Sequence, residues 1–126
     1  MTVGIITAVA NGLLNTFRGT AYTAPAGTYV KLHTADPGAA GTNAASAVTT
    51  RQQATFTAST VGSLVLSNTP TFSMTATETI THISVWDAST AGNILWTAAL
   101  TTSKAVVNTD TLTFSGITFS LTPLAV

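Results

Sequence analysis

Most of the chain alternates apolar and polar residues in short runs, the period of a half-buried strand. The longest run is 79–86. Thr79, Thr81, Ile83 and Val85 form one face; Ile80, His82, Ser84 and Trp86 form the other. Both faces carry apolar residues, which predicts a central strand covered on both sides. Residues 28–34 place Val30 and Leu32 on one side and Tyr29, Lys31 and His33 on the other. Further strands are predicted at 53–58 around Phe56, at 63–66, at 71–75 with Phe72 and Met74, at 94–100, at 103–107 and at 111–121. Turn signals separate them. Asp36-Pro37-Gly38 is the clearest, because Pro presets the first central residue and Gly supplies positive φ at the next. Asn68-Thr69-Pro70 and the 87–93 segment are others, the latter read as a hairpin loop begun by Asp87. Within 111–121 the apolar parity changes: Leu112 and Phe114 are even, Ile117, Phe119 and Leu121 odd. A β-bulge at Ser115-Gly116 would reconcile the two sets. About eight short antiparallel strands predict an all-β fold, a single β-sandwich or a small barrel.

The N-terminus departs from this pattern. Val3, Ile6, Ala10, Leu13, Leu14 and Phe17 recur at helical spacing, with Thr2 as cap and Gly19 where a helix stops. Gly4 and Gly12 cost such a helix about 1 kcal/mol each. The division expected is an N-terminal amphipathic helix over 1–18 and a β-domain over 19–126. A secretory leader is the rival reading, but the run has no basic start. It is also too short to span a membrane. The helix either fills its own domain's core or packs on a neighbouring subunit. Residues 38–47 read as an exposed loop with little to bury.

Composition narrows the function. The 126 residues carry four Lys+Arg and four Asp+Glu, a net charge of zero and 6% charged residues, against about 25% in a typical soluble domain. No basic stripe exists for nucleic acid and no polybasic patch for an anionic membrane. With no cysteine there is no disulfide, thiolate nucleophile or Cys-type zinc site. The surface falls to 28 Thr and 20 Ala. So neutral a chain is better suited to an assembly than to life as an isolated domain.

Candidate chemistry is sparse. The carboxylates are Asp36, Glu78, Asp87 and Asp110, and the imidazoles are His33 and His82. His33, Asp36 and His82 have the donor types for a divalent ion if their strands are neighbours. The simpler reading is that each His satisfies one local hydrogen bond, and no metal or other cofactor is expected. Trp86, Trp96 and Tyr29 would make a sugar-stacking platform if exposed, but alternating aromatics usually belong to a core. No nucleophile elbow and no phosphate loop is present. A triad needs convergence in space that counting cannot supply.

Four segments follow one another in order: Tyr-Val-Lys-Leu-His-Thr-Ala-Asp-Pro-Gly-Ala-Ala-Gly-Thr (29–42), Thr-Thr-Arg-Gln (49–52), Thr-Glu-Thr-Ile-Thr-His-Ile-Ser-Val-Trp-Asp-Ala (77–88) and Ala-Leu-Thr-Thr-Ser-Lys-Ala-Val (99–106). From about Ala21 onward the chain resembles a family of small virion proteins of tailed bacteriophages, especially those of actinobacteria. Such proteins carry labels such as tail fibre or minor tail protein, and similar small β-proteins decorate phage capsids. The resemblance implies no enzymatic activity and transfers no catalytic residue. It implies a non-enzymatic structural protein of the virion, an oligomeric accessory subunit on the capsid surface or the tail. Its expected partners are the major capsid protein or tail proteins of the same phage, and further copies of itself. The lack of a shaft repeat tilts this reading toward capsid decoration; the usual label tilts it toward the tail. The expected assembly surface is the N-terminal helix through Val3, Ile6, Leu13, Leu14 and Phe17, with Asp36, Pro37 and Gly38 as a second contact. A carbohydrate-binding module for host cell-wall glycan is the alternative, and an envelope hydrolase a third reading that needs a converging acid/base pair.

Overall fold

The computed structural model describes residues 3–121. Among the described residues nine strands are formed: β1 (Gly4–Ile5), β2 (Tyr29–His33), β3 (Gln52–Gln53), β4 (Ser63–Val65), β5 (Thr71–Ser73), β6 (Glu78–Trp86), β7 (Ile94–Val106), β8 (Thr111–Thr113) and β9 (Thr118–Ser120). One helix, α1 (Thr7–Asn15), runs into a 3-10 turn at Thr16–Arg18. The fold is all-β with a small N-terminal helix, as the alternation predicts. Five strands form one antiparallel sheet in the order β1-β7-β6-β2-β3, and β4-β9 and β5-β8 form two ribbons. The sheet is open, with β1 and β3 as its edges, so it does not close into a barrel.

β6 occupies the middle of that sheet, where its two apolar faces place it. Its register sets Val30 opposite Val85, Leu32 opposite Ile83 and His33 opposite His82. Cross-strand partners share a face, and β7 adds Trp96 opposite Val85. Val30, Leu32, Ile83, Val85 and Trp96 therefore line one face. The ribbons cover it with Phe72, Leu112 and Ile117 in one continuous buried cluster. Phe72 meets Phe114 edge-on at 6.0 Å. Trp96 stacks on Phe119 at 4.9 Å. The opposite face carries Lys31, His33, His82, Ser84 and Trp86, a polar set that is nonetheless mostly buried.

The 36–48 loop lies over this polar face: most of 38–47 is exposed as expected, but Gly41 and Ser46 are buried. A Cβ on Gly41 would come within 2.4 Å of Ile94 and 2.8 Å of the Trp86 ring at a φ of +64°. Only glycine fits both the backbone and the space. Ser46 donates its hydroxyl to Glu78, whose second oxygen accepts the Ala47 N–H at 3.2 Å. Ala45 bridges to His33, and Val48 is 6% exposed. The loop is thus latched by a carboxylate 30 residues downstream. The Asp36-Pro37-Gly38 turn forms as predicted, with Gly38 at φ +68° and its N–H donated to Asp36 Oδ1 at 2.9 Å.

Four local expectations are corrected. First, the helix starts at Thr7 rather than near Thr2, which lies outside the described residues. Ile6 donates its N–H to the Leu95 carbonyl, so β7 claims the backbone of β1 before a helix can begin. Val3 and Ile6 are therefore not helical, and the 1–18 segment holds a strand as well as a helix. The stop at Gly19 is as expected, with φ +84°. Second, the predicted strands at 94–100 and 103–107 are one 13-residue strand. Ile80 pairs with Lys104 and His82 with Ala99. One residue of β6 thus faces residues 100–103 of β7, a bulge where the pattern predicts a break. Third, 111–121 is two strands, not one strand with a bulge at Ser115-Gly116. β8 pairs with β5 and β9 with β4, so the parity changes because the partner sheet changes. Fourth, Phe56 makes a single bridge to Leu66, and the strand near it is confined to Gln52–Gln53.

Candidate functional site

α1 has no fully buried residue. Val9 packs against the core cluster, and the Tyr22 ring lies where a Cβ on Gly12 would stand, within 2.6 Å. Gly12 therefore lets the following loop close against the helix. The other flank of the helix faces outward: Leu14 is 65% exposed and Phe17 92%. Leu13 is half-buried. β1 and the Asp36 turn come together. Val3, Ile5, Ile6, Asp36 and Gly38 line one cleft of about 470 Å³. The two segments singled out from the sequence as an assembly surface, separated by some 30 positions, thus adjoin. Pro37 does not belong to that surface. It is among the fully buried side chains, because the turn drives its ring into the protein, so its expected contact role is corrected. Among the described residues no helix is long and apolar enough to cross a membrane.

The two histidines stand side by side in the register, yet their rings are committed to the fold. The Asn43 carbonyl can only accept, so His33 Nδ1–H donates to it at 2.8 Å. His33 Nε2 then accepts the Ser84 hydroxyl at 2.8 Å. Ser84 Oγ in turn accepts the Trp86 indole N–H at 2.8 Å. This chain of donors is complete with a neutral His33 ring. His82 Nδ1 bonds the Thr81 hydroxyl at 2.7 Å. Asp36 holds its own turn. Among the described residues no group of three metal-ligating side chains gathers.

Burial lowers the His33 pKa from its ordinary 6.5; the Asn43 carbonyl opposes this, and the Lys31 and His82 charges add to it. A histidine whose folded pKa is depressed resists the proton that the unfolded chain accepts. Its contribution is intact above pH 6.5 and declines as pH falls from there toward the folded value. The urea midpoint is therefore expected to drop between about pH 7.5 and about pH 5, and a His33→Gln variant to lose part of that slope. Equal midpoints at the two values would show that the buried ring does not govern acid stability.

The tryptophans offer no open platform. Trp86 and Trp96 are each 9% exposed. The Arg51 guanidinium lies 3.8 Å from the Trp86 ring centroid. Its Nη1 donates to the carbonyls of Ala88 at 2.8 Å and Ala91 at 2.6 Å. Arg51 thereby ties the 87–93 hairpin to the edge of the sheet. The hairpin is closed from within by Asp87, which accepts the Asn93 N–H at 2.7 Å and its side-chain amide at 2.9 Å. Those bonds hold the Asp87 carboxyl below its ordinary pKa, with the Arg51 charge adding to them and burial opposing. Neither the Arg51 clamp nor the Glu78 latch is legible in the sequence, because their partners lie some 30–40 positions away.

All four carboxylates hold turns or loops. Asp36, Glu78 and Asp87 do so as described, and Asp110 accepts the Val107 N–H at 2.9 Å. The molecule is thus an all-β protein whose acidic side chains shape its loops and whose N-terminal helix presents apolar side chains outward. The chain belongs to the family described as Podophage GP4 fiber I protein gp80, whose model matches residues 4–122. It is a phage tail fibre protein, a structural component of the virion. No curated protein matches it. The actinobacterial origin that the resemblance implies is not part of this match.

Proposed function

We propose that this chain is a non-enzymatic accessory subunit of the phage tail, present in several identical copies and joined to another tail protein through its N-terminal segment. The observation that carries this reading is the outward face of α1 and of the 3-10 turn that continues it. A side chain as large as Phe17 gains nothing from water, and it stands 92% exposed in a protein whose other aromatic rings are mostly covered. Leu14 lies three positions earlier, on the same helical face. A cleft at Val3, Ile6, Asp36 and Gly38 offers a second contact in the same N-terminal segment. Zero net charge supports close repetition, since crowded identical copies then repel one another little. Membership of a fibre family supports the tail over the capsid surface.

The test is the copy number of this chain in purified particles, by quantitative mass spectrometry against the major capsid protein. A small fixed number per particle is the expected result. A number comparable to that of the capsid protein would instead make it a shell-decorating subunit. Absence from the particle would sink the virion role.

A further inference from the structure

We propose that the depression between Lys31, Arg51 and the 89–91 hairpin tip is a binding site for an acidic sugar, one that carries a phosphate or carboxylate group. The inference does not rest on the assembly reading, since it concerns a different surface. β2 pairs with β3 so that Tyr29 faces Gln53 and Val30 faces Gln52. Continuing this register sets Arg51 opposite Lys31. Like charges directly opposite one another across a ladder are destabilising, and this chain has only four cations to place. Two of them are spent here, on one edge of the sheet. The charge felt by Lys31 is that of Arg51, a second cation. The carboxylate whose charge reaches Arg51 is Asp87, whose oxygens bond Asn93 and which does not line the depression.

The remaining wall is hydroxyl. Thr49, Thr50, Ser89 and Thr90 line the same depression of about 420 Å³, a volume in the range of small-molecule sites, about 300–1,000 Å³. All four are exposed. The arrangement is also rigid. Arg51 is pinned by two carbonyls and by the Trp86 ring, and both bonds use Nη1. Among the described residues Nε and Nη2 make no hydrogen bond, and a guanidinium fork suits an oxyanion. Lys31 supplies a second point charge. The hydroxyls match the neutral, hydroxylated part of a sugar, which an inorganic anion alone would not use. The site thus differs from the aromatic platform considered from the sequence, whose two indoles are buried.

The experiment uses the full chain, 15N-labelled, in a low-salt buffer without phosphate. Glucose 6-phosphate, glucuronate and neutral glucose are titrated separately while the backbone amides are followed by NMR. The expected result is saturable shifts at Lys31, Thr50, Arg51, Ser89 and Thr90 with at least one of the two acids and none with glucose. The acid that binds more tightly identifies phosphate or carboxylate as the preferred group. Lys31→Gln, which leaves the Arg51 clamp in place, should weaken the response at least about tenfold. No saturable shift with either acid would overturn the proposal, as would an equal response to glucose. Unchanged affinity in a Lys31→Gln protein that keeps the wild-type spectrum would overturn it too.

Discussion

Replacing Trp96 by alanine is expected to destabilise the protein by about 3–5 kcal/mol. Trp96 connects the separate parts of the β structure. Its backbone pairs with Ile5 on one side and Val85 on the other. Its ring stacks on Phe119 of β9 at 4.9 Å and lies 6.1 Å from Phe56. Removing the indole leaves a void between the five-stranded sheet and the β4-β9 ribbon, which is only three residue pairs long. Cavity and lost transfer energy therefore act at one place. Thermal unfolding by circular dichroism should show a midpoint lower by roughly 10–20 °C. A shift of only a degree or two would mean that the ribbon is held by its backbone pairing and that the aromatic stack is incidental. Tryptophan emission gives a second reading, because only Trp86 remains in the variant.

The double substitution Leu14→Ser, Phe17→Ser should have the opposite profile. Both side chains already lie largely in water, so stability should change by no more than about 0.5 kcal/mol. If the helix docks on another tail protein, incorporation into particles should fall at least about tenfold, since apolar anchors dominate such contacts. The readout is the amount of this chain in purified virions when a phage lacking the wild-type copy is complemented with the variant. Normal incorporation of the variant would make the helix an ornament of its own domain. This variant is cleaner than deleting 1–18. The deletion also removes β1, which covers Trp96 and Thr97 at the edge of β7, so it would confound assembly with sheet stability.

The parts of the molecule that were legible in the sequence are those fixed within one element. β6 reads as a central strand because apolar residues occupy both of its faces, whatever its neighbours are. The Asp36-Pro37-Gly38 turn and the Asp87 hairpin form because the side chain, the ring and the glycine act on backbone groups two to six residues away. Gly19 ends the helical segment for the same reason. The family membership, too, is a property of the sequence, a match over residues 4–122.

What escaped the sequence required knowing which segments meet. Val3 and Ile6 satisfy helical spacing, but β7 offers the backbone of β1 a ladder, and tertiary pairing outweighs a weak local preference. The parity switch after Phe114 looks like a bulge in a single strand. It marks instead a change of partner, from β5 for β8 to β4 for β9, and partner choice leaves no local trace. The 38–47 loop looks unanchored because its small residues have no bulk, yet Glu78 holds it at Ser46 and Ala47. The Lys31–Arg51 depression is invisible until the β2-β3 register is set. Residues 31 and 51 are unremarkable in sequence, and only the ladder places two positive charges opposite each other with four hydroxyls around them. The sequence by itself determined the strand-forming alternation, the turns, the near-absence of charge and the kinship to fibre proteins. The tertiary structure decided which edges are covered, which aromatics are buried and which cations share a surface, because those outcomes depend on pairings between residues tens of positions apart.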